Sequence, residues 1–273
     1  MKVLITGGKG FIGSHLMEII PDSVSYDLKN GEDIRNARQL QNIIEKNGIT
    51  DIIHLAAQTS VANAWDNPTD YYSHNITGTS VVIETAIKCG IKRIIYASSA
   101  SVYTYTENPY AASKATQEVL FKVRENSIYS VGFRFMNVYG KGQNSAYGTV
   151  IPAFTKGIQE GKIKIFGDGT QTRDFVHVDD VCKGLKLALD REFNPRFYRN
   201  INMDLGTGKA YSVKEVAFLL MGILGKKVEI EYTPPRKEAQ HSVANMETIK
   251  RIYEFEPSIP FVQGLERLLE EGL

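Results

Sequence analysis

Short apolar runs rich in β-branched residues alternate along this chain with longer segments in which apolar positions recur at helical spacing. The runs at 3–5, 24–26, 52–55, 94–97 and 131–135 predict strands, and the segments at 37–46, 69–89 and 111–125 predict helices. This alternation predicts an α/β fold with a doubly wound parallel sheet, in which ligands bind beyond the carboxyl ends of the strands.

The rhythm of the pattern changes after Gly140. A polar segment at 141–148 precedes a predicted helix near 152–160, a strand at 163–166 and a turn at 167–169. The C-terminal third predicts a helix at 213–224, a strand at 228–232 and a helix near 261–271. We interpret this part of the chain as a smaller α/β lobe that covers the crevice of the sheet.

Composition narrows the classes of partner. The 273 residues, 42% of them hydrophobic, are enough to build a large core. A formal net charge of +1 gives no electrostatic reason to expect nucleic acid or an anionic membrane as partner. No long apolar run follows Met1, so neither a signal peptide nor an anchor is expected. Cys89 and Cys182 are isolated and the five histidines are scattered, which favours a cytoplasmic protein without disulfides or a metal site.

A glycine-rich segment, Thr-Gly-Gly-Lys-Gly-Phe-Ile-Gly at 6–13, directly follows the first predicted strand and precedes a helix. Without side chains, the backbone at Gly7, Gly10 and Gly13 can turn tightly and bring N–H groups against a pyrophosphate. The second strand is followed by Asp27, whose carboxylate can accept bonds from ribose hydroxyls and would repel a 2′-phosphate, which favours NAD over NADP. Alternatively Asp27 caps the next turn, and Lys29 beside it leaves NADP open.

A phenol and an ammonium lie four residues apart at Tyr110 and Lys114, on one face of a predicted helix. A nearby Lys⁺ and a bound nicotinamide cation would both favour the phenolate, and so turn Tyr110 into a base for proton transfer. The strand before this helix ends in a serine-rich stretch, where Ser99 or Ser101 can reach the same substrate oxygen. Taken alone, such a pair can also be an exposed helix face.

These motifs occur in the order of a known family. The chain resembles the extended short-chain dehydrogenase/reductases, a Rossmann-fold family, and within them the NAD-dependent epimerase/dehydratase branch that includes UDP-glucose 4-epimerases. The segments that carry the resemblance are 6–13, 33–35, 54–57, 75–79, 98–103, Tyr110 with Lys114, 134–140, 167–180 and 256–260.

The resemblance implies roles for individual residues and no bound metal. The catalytic residues would be Ser99, Tyr110 and Lys114. The NAD contacts would be Gly7, Gly10, Phe11, Ile12, Gly13, Asp27, Asp33, Ile34, Leu55, Ala56, Ala57, Asn75, Tyr110, Lys114 and Met136. The nucleotide-sugar contacts would be Ser99, Asn137, Phe166, Arg173, Arg236 and Ser242. The guanidinium forks of the two arginines suit the oxygens of a diphosphate.

The residues after Ser99 favour one branch of the family. Related 4,6-dehydratases carry an Asp-Glu pair there and decarboxylating relatives carry a Glu, whereas this chain has Ala100 and Ser101. Oxidation and re-reduction at C4 is the chemistry that remains, so the resemblance implies a nucleotide-sugar 4-epimerase acting on UDP-glucose and UDP-galactose. The small Ser242, at the position of a gate beside the sugar, would also admit UDP-N-acetylhexosamines.

Two other functions are compatible with these motifs. One is a reductase or epimerase that acts on a GDP- or dTDP-linked 4-keto sugar. The other is a non-catalytic regulator that binds NAD as a redox sensor, which the presence of Ser99, Tyr110 and Lys114 disfavours. Only five residues separate Asp27 from Asp33 and six separate Tyr103 from Tyr110, both fewer than is usual in the family. The second shortening leaves the sugar specificity open.

The resemblance also implies an arrangement of domains and subunits. Residues 1–147, with 174–205 returning, would form the NAD-binding domain, and 148–173 with 206–273 would form the nucleotide-sugar lobe. Helices at 69–89 and 111–125 pack between subunits in the family, which implies a homodimer.

Overall fold

A computed structural model of the chain describes residues 1–143, 149–191, 199–236 and 239–272. The chain divides into two compact units, one formed by Met1–Phe135 and Cys182–Met203, the other by Met136–Val181 and Asp204–Leu273. The sequence-based boundary at 147/148 and part of the polar segment at 141–148 lie outside the described residues, and the functional division into an NAD domain and a sugar lobe stays a prediction.

Up to Phe135 the chain alternates strands and helices, and all of these elements belong to the first unit. They are β1 (Val3–Thr6), α1 (Phe11–Ile19), β2 (Val24–Tyr26), α2 (Ala37–Asn47), β3 (Asp51–His54), α3 (Val61–Asp66), α4 (Pro68–Tyr72), α5 (Thr79–Lys88), β4 (Arg93–Ser99), α6 (Pro109–Val123) and β5 (Tyr129–Phe135). Short 3-10 segments occupy Leu28–Asn30 and Ala100–Thr104, and a π-helical turn occupies Ser73–Gly78.

The remaining elements follow Phe135 in the chain. They are β6 (Asn137–Tyr139), α7 (Val150–Glu160), β7 (Lys162–Phe166), β8 (Thr172–His177), α8 (Val178–Asp190), β9 (Asn200–Leu205), β10 (Ala210–Ser212), α9 (Val213–Ile223), β11 (Glu229–Thr233), β12 (His241–Ser242), α10 (Glu247–Tyr253) and α11 (Phe261–Glu271).

A six-stranded parallel sheet in the order β2-β1-β3-β4-β5-β9 confirms the predicted doubly wound α/β fold. Its register pairs Thr6 with both Tyr26 and His54, and His54 with Tyr96. Because the strands are parallel, the residues that follow them emerge along one edge of the sheet. The glycine segment after β1, Asp27 after β2, the segment after β3 and the end of β4 therefore share that edge.

The core of the first unit lies between this sheet and its helices. Tyr96 of β4 and Phe121 of α6 are both fully buried and stack with ring centroids 3.8 Å apart. The Tyr96 hydroxyl donates a hydrogen bond to Asn202 Oδ1, which satisfies its polar end inside the sheet. This contact fixes α6 against β4, the two elements that carry the catalytic candidates.

The predicted helices are present, and one of them differs from its prediction in the segment at 69–89. A single helix was expected there, whereas α4 and α5 are joined by the π-helical turn Ser73–Gly78. Gly78 packs so tightly that a Cβ would lie 2.5 Å from Ile34 Cδ1. The wider turn carries Asn75 into the interior, and apolar periodicity does not encode such a local change of pitch.

Two small sheets organise the second unit. One has the order β10-β8-β12, with β6 pairing to β8, and the other pairs β11 with β7 in parallel. The fully buried Asp174 of β8 joins three segments, since its carboxylate accepts bonds from the backbone N–H groups of Thr207, Gly208 and Ala244 and from the Thr207 hydroxyl. Among the described residues, no helix is long and apolar enough to span a membrane.

We expect Phe121→Ala to lower the free energy of unfolding by about 3–5 kcal/mol, because it empties a buried site beside Tyr96. The matched control is Val119→Ala on the same helix, where the side chain is 59% exposed and the loss should stay within ~0.5 kcal/mol. Urea unfolding followed by circular dichroism measures both. Equal losses in the two variants would contradict the assigned core.

Candidate functional site

The glycine segment between β1 and α1 leaves no room for side chains. Gly7 has a φ of +73°, and a Cβ on it would lie 2.8 Å from the backbone N of Ala56. A Cβ on Gly13 would lie 2.1 Å from the carbonyl oxygen of Gly7. Helix α1 begins at Phe11 and its N-cap, Gly10, makes no side-chain capping bond. The N–H groups of this first turn can therefore face an anion at close range, which fits a dinucleotide pyrophosphate.

Asp27 is held in place at the end of β2. Its two carboxylate oxygens accept hydrogen bonds from the backbone N–H groups of Lys9 and Lys29, both at 2.9 Å, and the Lys29 ammonium donates to the Lys9 carbonyl at 2.8 Å. The turn-capping role considered for Asp27 is thus present. It leaves further lone pairs on the carboxylate, so capping and ribose binding are compatible.

Asp33 and Ile34 follow the 3-10 segment. Arg35 forks onto Asp33, with Nη2 at 2.6 Å from Oδ2, and its hydrogen bonds hold the pKa of that carboxyl below its usual range. Ile34 is buried against Gly78. At the end of the neighbouring strand, Leu55, Ala56 and Ala57 are half-buried after β3.

Asn75 connects the segment after β3 with α6. Its Oδ1 accepts from the Gln58 N–H at 2.8 Å, and its Nδ2 donates to the Gln58 carbonyl at 3.0 Å and to Ser113 Oγ at 2.9 Å. Asn75 is almost completely buried. These bonds shape the wall of the site, and a direct NAD contact of Asn75 stays a prediction.

The catalytic candidates come together at the end of β4. The buried Lys114 donates from Nζ to the carbonyl oxygen of Ala97 at 2.6 Å, and the side chain of Ser99 lies close enough to the Tyr110 hydroxyl to lower its pKa. Ser99 Oγ also accepts from the N–H of Ser101 at 3.1 Å. Because Tyr110 and Lys114 are buried, the alternative of an exposed helix face is wrong.

Burial dominates the ionisation of this pair. It raises the pKa of Tyr110, and the nearby side chain of Ser99 opposes the shift. It lowers the pKa of Lys114 to about 7, and the charge of Glu118 opposes that shift. Desolvation therefore works against the phenolate that the sequence led us to expect, and a further positive charge beside Tyr110 would favour its ionisation.

His54 lies at the end of β3 as a neutral bridge. Burial, with the charge of Lys114 second, lowers its pKa to about 3. Its Nδ1 lies 2.7 Å from Thr6 Oγ1 and its Nε2 lies 3.0 Å from Thr79 Oγ1. His54 therefore ties β1 to α5 beneath the glycine segment. The sequence placed it in a motif without a role, and only tertiary structure identifies its partners.

The second unit brings the predicted sugar-nucleotide residues together in two groups. Arg173 and Ser242 are register partners in β8 and β12, and Ser242 Oγ lies 3.8 Å from the sulfur of Met136. Asn137, in β6, donates from Nδ2 to the Asp174 carbonyl at 3.2 Å.

The second group is an aromatic and a cation at the ends of β7 and β11. The guanidinium carbon of Arg236 lies 3.4 Å from the centroid of the Phe166 ring, which is a cation–π geometry. Stacking leaves the edge of the guanidinium, with its N–H donors, open to a phosphate. Across the described ranges, no cluster of three His, Cys, Asp or Glu side chains could hold a metal ion.

The similarity of this chain to known proteins extends over nearly its whole length. Residues 3–203 match the model of the NAD dependent epimerase/dehydratase family. The chain is 34% identical to a UDP-glucuronate 4-epimerase of Thermodesulfobacterium geofontis, in an alignment that covers 97% of this chain and 89% of the relative.

Two solved structures have the same architecture. The UDP-glucose 4-epimerase of Thermotoga maritima, solved with UDP-glucose, has a TM-score of 0.89 at 28% identity and covers 99% of this chain and 98% of that one. The UDP-glucose 4-epimerase of Thermus thermophilus, solved with NAD, has a TM-score of 0.86 at 26% identity, with the same coverage of both chains.

We expect Gly13→Ala to weaken NAD binding by at least about 10-fold, because the new methyl group displaces the Gly7 carbonyl and with it the loop. Gly222→Ala is the control, since nothing lies within 4 Å of a Cβ there. Calorimetric titration with NAD measures both variants. Wild-type affinity in a folded Gly13→Ala variant would show that the loop does not bind the cofactor.

Proposed function

Because the chain belongs to the NAD-dependent epimerase/dehydratase family, we propose that it is a UDP-sugar 4-epimerase. It would interconvert UDP-glucose and UDP-galactose through a transient 4-keto sugar and also accept UDP-N-acetylhexosamines. The observation that carries the proposal is the placement of the buried Tyr110 hydroxyl beside the side chain of Ser99, with Lys114 anchored on the Ala97 carbonyl one helical turn away.

NAD is the cofactor of this enzyme, and when bound it supplies the acceptor and the donor of the C4 hydride. The residues that would hold it are those of the glycine segment and Asp27, with Lys114 on the nicotinamide ribose. The close-packed glycines and the uncapped first turn of α1 fit a pyrophosphate, which supports this assignment.

The chain itself performs a proton transfer at the O4 atom of the sugar. Tyr110 removes the proton of the 4-hydroxyl in one direction and returns it in the other, so a single group acts as base and acid. Ser99, whose side chain acts on the same phenol, would hold O4 in line with it. The surroundings of Tyr110 are buried, and a cation close to the phenol therefore acts on its pKa with little screening by water.

The absence of a second acid or base next to Ser99 favours epimerisation over dehydration. Ala100 cannot transfer a proton, and Ser101 is engaged with Ser99 through its N–H and its hydroxyl. Loss of the 6-hydroxyl would need a proton moved at C5 and another delivered to the leaving group. Neither residue supplies one, so rotation of the 4-keto sugar and re-reduction is the reaction we propose.

The substrate is held by groups in the second unit. Arg173 and Arg236 would bind the diphosphate, Asn137 and Phe166 would contact the nucleotide sugar, and Ser242 would leave space for an N-acetyl group. The 34% identical relative is named for UDP-glucuronate, so this sugar belongs in any substrate panel. A homodimer and a cytoplasmic location complete the proposal.

The NAD-loaded protein should convert at least one of UDP-galactose, UDP-glucose, UDP-N-acetylgalactosamine and UDP-glucuronate to its C4 epimer without added cofactor. Proton NMR in D₂O identifies the product, which should carry no solvent deuterium at C4 because the hydride returns internally. Turnover of none of the four sugars would reject the proposal. Stoichiometric NADH consumption with a dTDP- or GDP-linked 4-keto sugar would instead identify a reductase.

We expect Tyr110→Phe to lower kcat by about 10²- to 10⁴-fold while NAD binding is retained, since it removes the proton carrier without emptying its space. Tyr232→Phe is the matched control, because this tyrosine is half exposed on β11. A Tyr110→Phe enzyme that epimerises at the wild-type rate would remove Tyr110 from the mechanism.

We expect Arg236→Gln to raise the KM for the UDP-sugar by about 10-fold or more, because a charge-assisted bond to the diphosphate is lost. The affinity for NAD should not change. Arg251→Gln, an exposed arginine on α10, is the control. An unchanged KM in Arg236→Gln, measured by steady-state kinetics, would contradict the diphosphate role.

A further inference from the structure

Glu118 lies four residues after Lys114 on α6, so both point to the same face of the helix. Its side chain is only 12% exposed. Its Oε1 accepts from the hydroxyl of Ser98 at 2.6 Å, and Ser98 is the residue between Ala97 and Ser99. Glu118 and Lys114 therefore bind adjacent residues of β4, at the point where the strand delivers the catalytic serine.

The carboxylate of Glu118 has two further partners on other strands. Arg134 of β5 donates from Nε at 2.9 Å and from Nη2 at 2.7 Å, and Asn202 of β9 donates from Nδ2 at 3.2 Å. Arg134 also donates from Nη1 to the hydroxyl of Tyr103 at 3.0 Å. One carboxylate thus connects α6 with three neighbouring strands, and its Arg134 partner reaches the short segment between Ser99 and Tyr110.

The titratable groups around Lys114 lie on the elements that pack against α6 and on α6 itself. His54 on β3 is neutral, and burial keeps its pKa at about 3. The tyrosines on the elements packed against α6 are Tyr71 and Tyr72 of α4, Tyr96 of β4 and Tyr103 of the 3-10 segment. Two further groups on these elements have salt-bridge partners of their own: Glu84 of α5 pairs with Arg124, and His74 of the π-helical turn pairs with Asp70. Glu118 is the charged group that opposes the effect of burial on the Lys114 pKa, and Arg134 is the ion-pair partner of that carboxylate.

We propose that Glu118 is a positioning residue, which locks the end of β4 against α6 and supplies the negative charge that keeps Lys114 an ammonium near neutral pH. Arg134 orients this carboxylate, and its positive charge partly offsets the effect of the Glu118 charge on Lys114. The assignment rests on the proposed function only for the role of Lys114, because the contacts of Glu118 are independent of the substrate. Burial lowers the pKa of Lys114 and Glu118 opposes that shift, in agreement with the geometry.

The sign of the effect follows from the position of the charges. An ammonium at Lys114 can donate to the cofactor ribose and to Ala97, and it is present only below the pKa of the group. Removal of the Glu118 charge lowers the pKa of Lys114. The loss of NAD affinity with rising pH should therefore begin at a lower pH than in the wild type. Removal of the Arg134 charge leaves Glu118 unopposed and should have the reverse effect.

The test is an NMR titration of the full-length protein labelled with [ε-¹³C]lysine, with Lys114→Arg used to assign the resonance. We expect the wild-type midpoint near 7 and a midpoint lower by about one pH unit in Glu118→Gln. Arg134→Gln should move the midpoint upward. Glu118→Asp keeps the charge, so its midpoint should lie close to that of the wild type. Glu125→Gln is the matched control, because Glu125 pairs with Lys122 at 2.6 Å near the end of α6.

A folded Glu118→Gln protein with an unchanged Lys114 midpoint would overturn the proposal, since a merely structural role lowers stability without moving this titration. If Glu118→Gln fails to fold, Arg134→Gln decides: an upward shift supports the charge role, and an unchanged or lower midpoint overturns it. NAD binding measured across the same pH range should move in parallel. None of these measurements needs a UDP-sugar, so failure of the proposed reaction would remain distinguishable.

Discussion

The hydrogen bond from the buried ammonium of Lys114 to the carbonyl of Ala97 is the interaction on which the site depends. Taking an ammonium out of water costs several kcal/mol unless its donors are satisfied. The bond from Lys114 to Ala97 exists only while α6 stays packed against the end of β4, so this contact and the stack of Tyr96 on Phe121 support each other. The same packing brings Tyr110 to Ser99, and the geometry for proton transfer follows from the fold.

Buried polar side chains define each unit separately. In the first, Asn75, His54 and Glu118 join segments distant in the chain through hydrogen bonds inside the protein. In the second, Asp174 gathers β8, the turn after β9 and the segment before α10 around one carboxylate. A buried polar side chain destabilises the fold when some of its hydrogen-bonding atoms lack partners. These side chains therefore specify one arrangement of the loops beside them.

Much of the first unit was predictable because its signals are local. Every predicted strand is present with ends within two residues, since a buried parallel strand reads as an apolar run wherever it lies. The tight turn of the glycine segment was also predicted, because it depends on neighbouring residues. The six-residue α3 and the two- or three-residue strands β6, β10 and β12 were missed, because too few residues are present to establish a period. The longer elements β8, α8, β9 and α10 were also not predicted. The π-helical turn was missed because it departs from the period itself.

The sequence by itself determined the α/β class, the glycine segment and the spacing of Tyr110 and Lys114, because each depends on residues close together in the chain. Only the tertiary structure decided how the catalytic pair is ionised, since burial raises the pKa of Tyr110 and lowers that of Lys114. It alone identified Glu118 as the neighbour of Ser98, Arg134 and Asn202, although the four-residue step from Lys114 is visible in the sequence. Desolvation and long-range hydrogen bonds depend on which strands lie side by side, and that order arises only when the sheet forms.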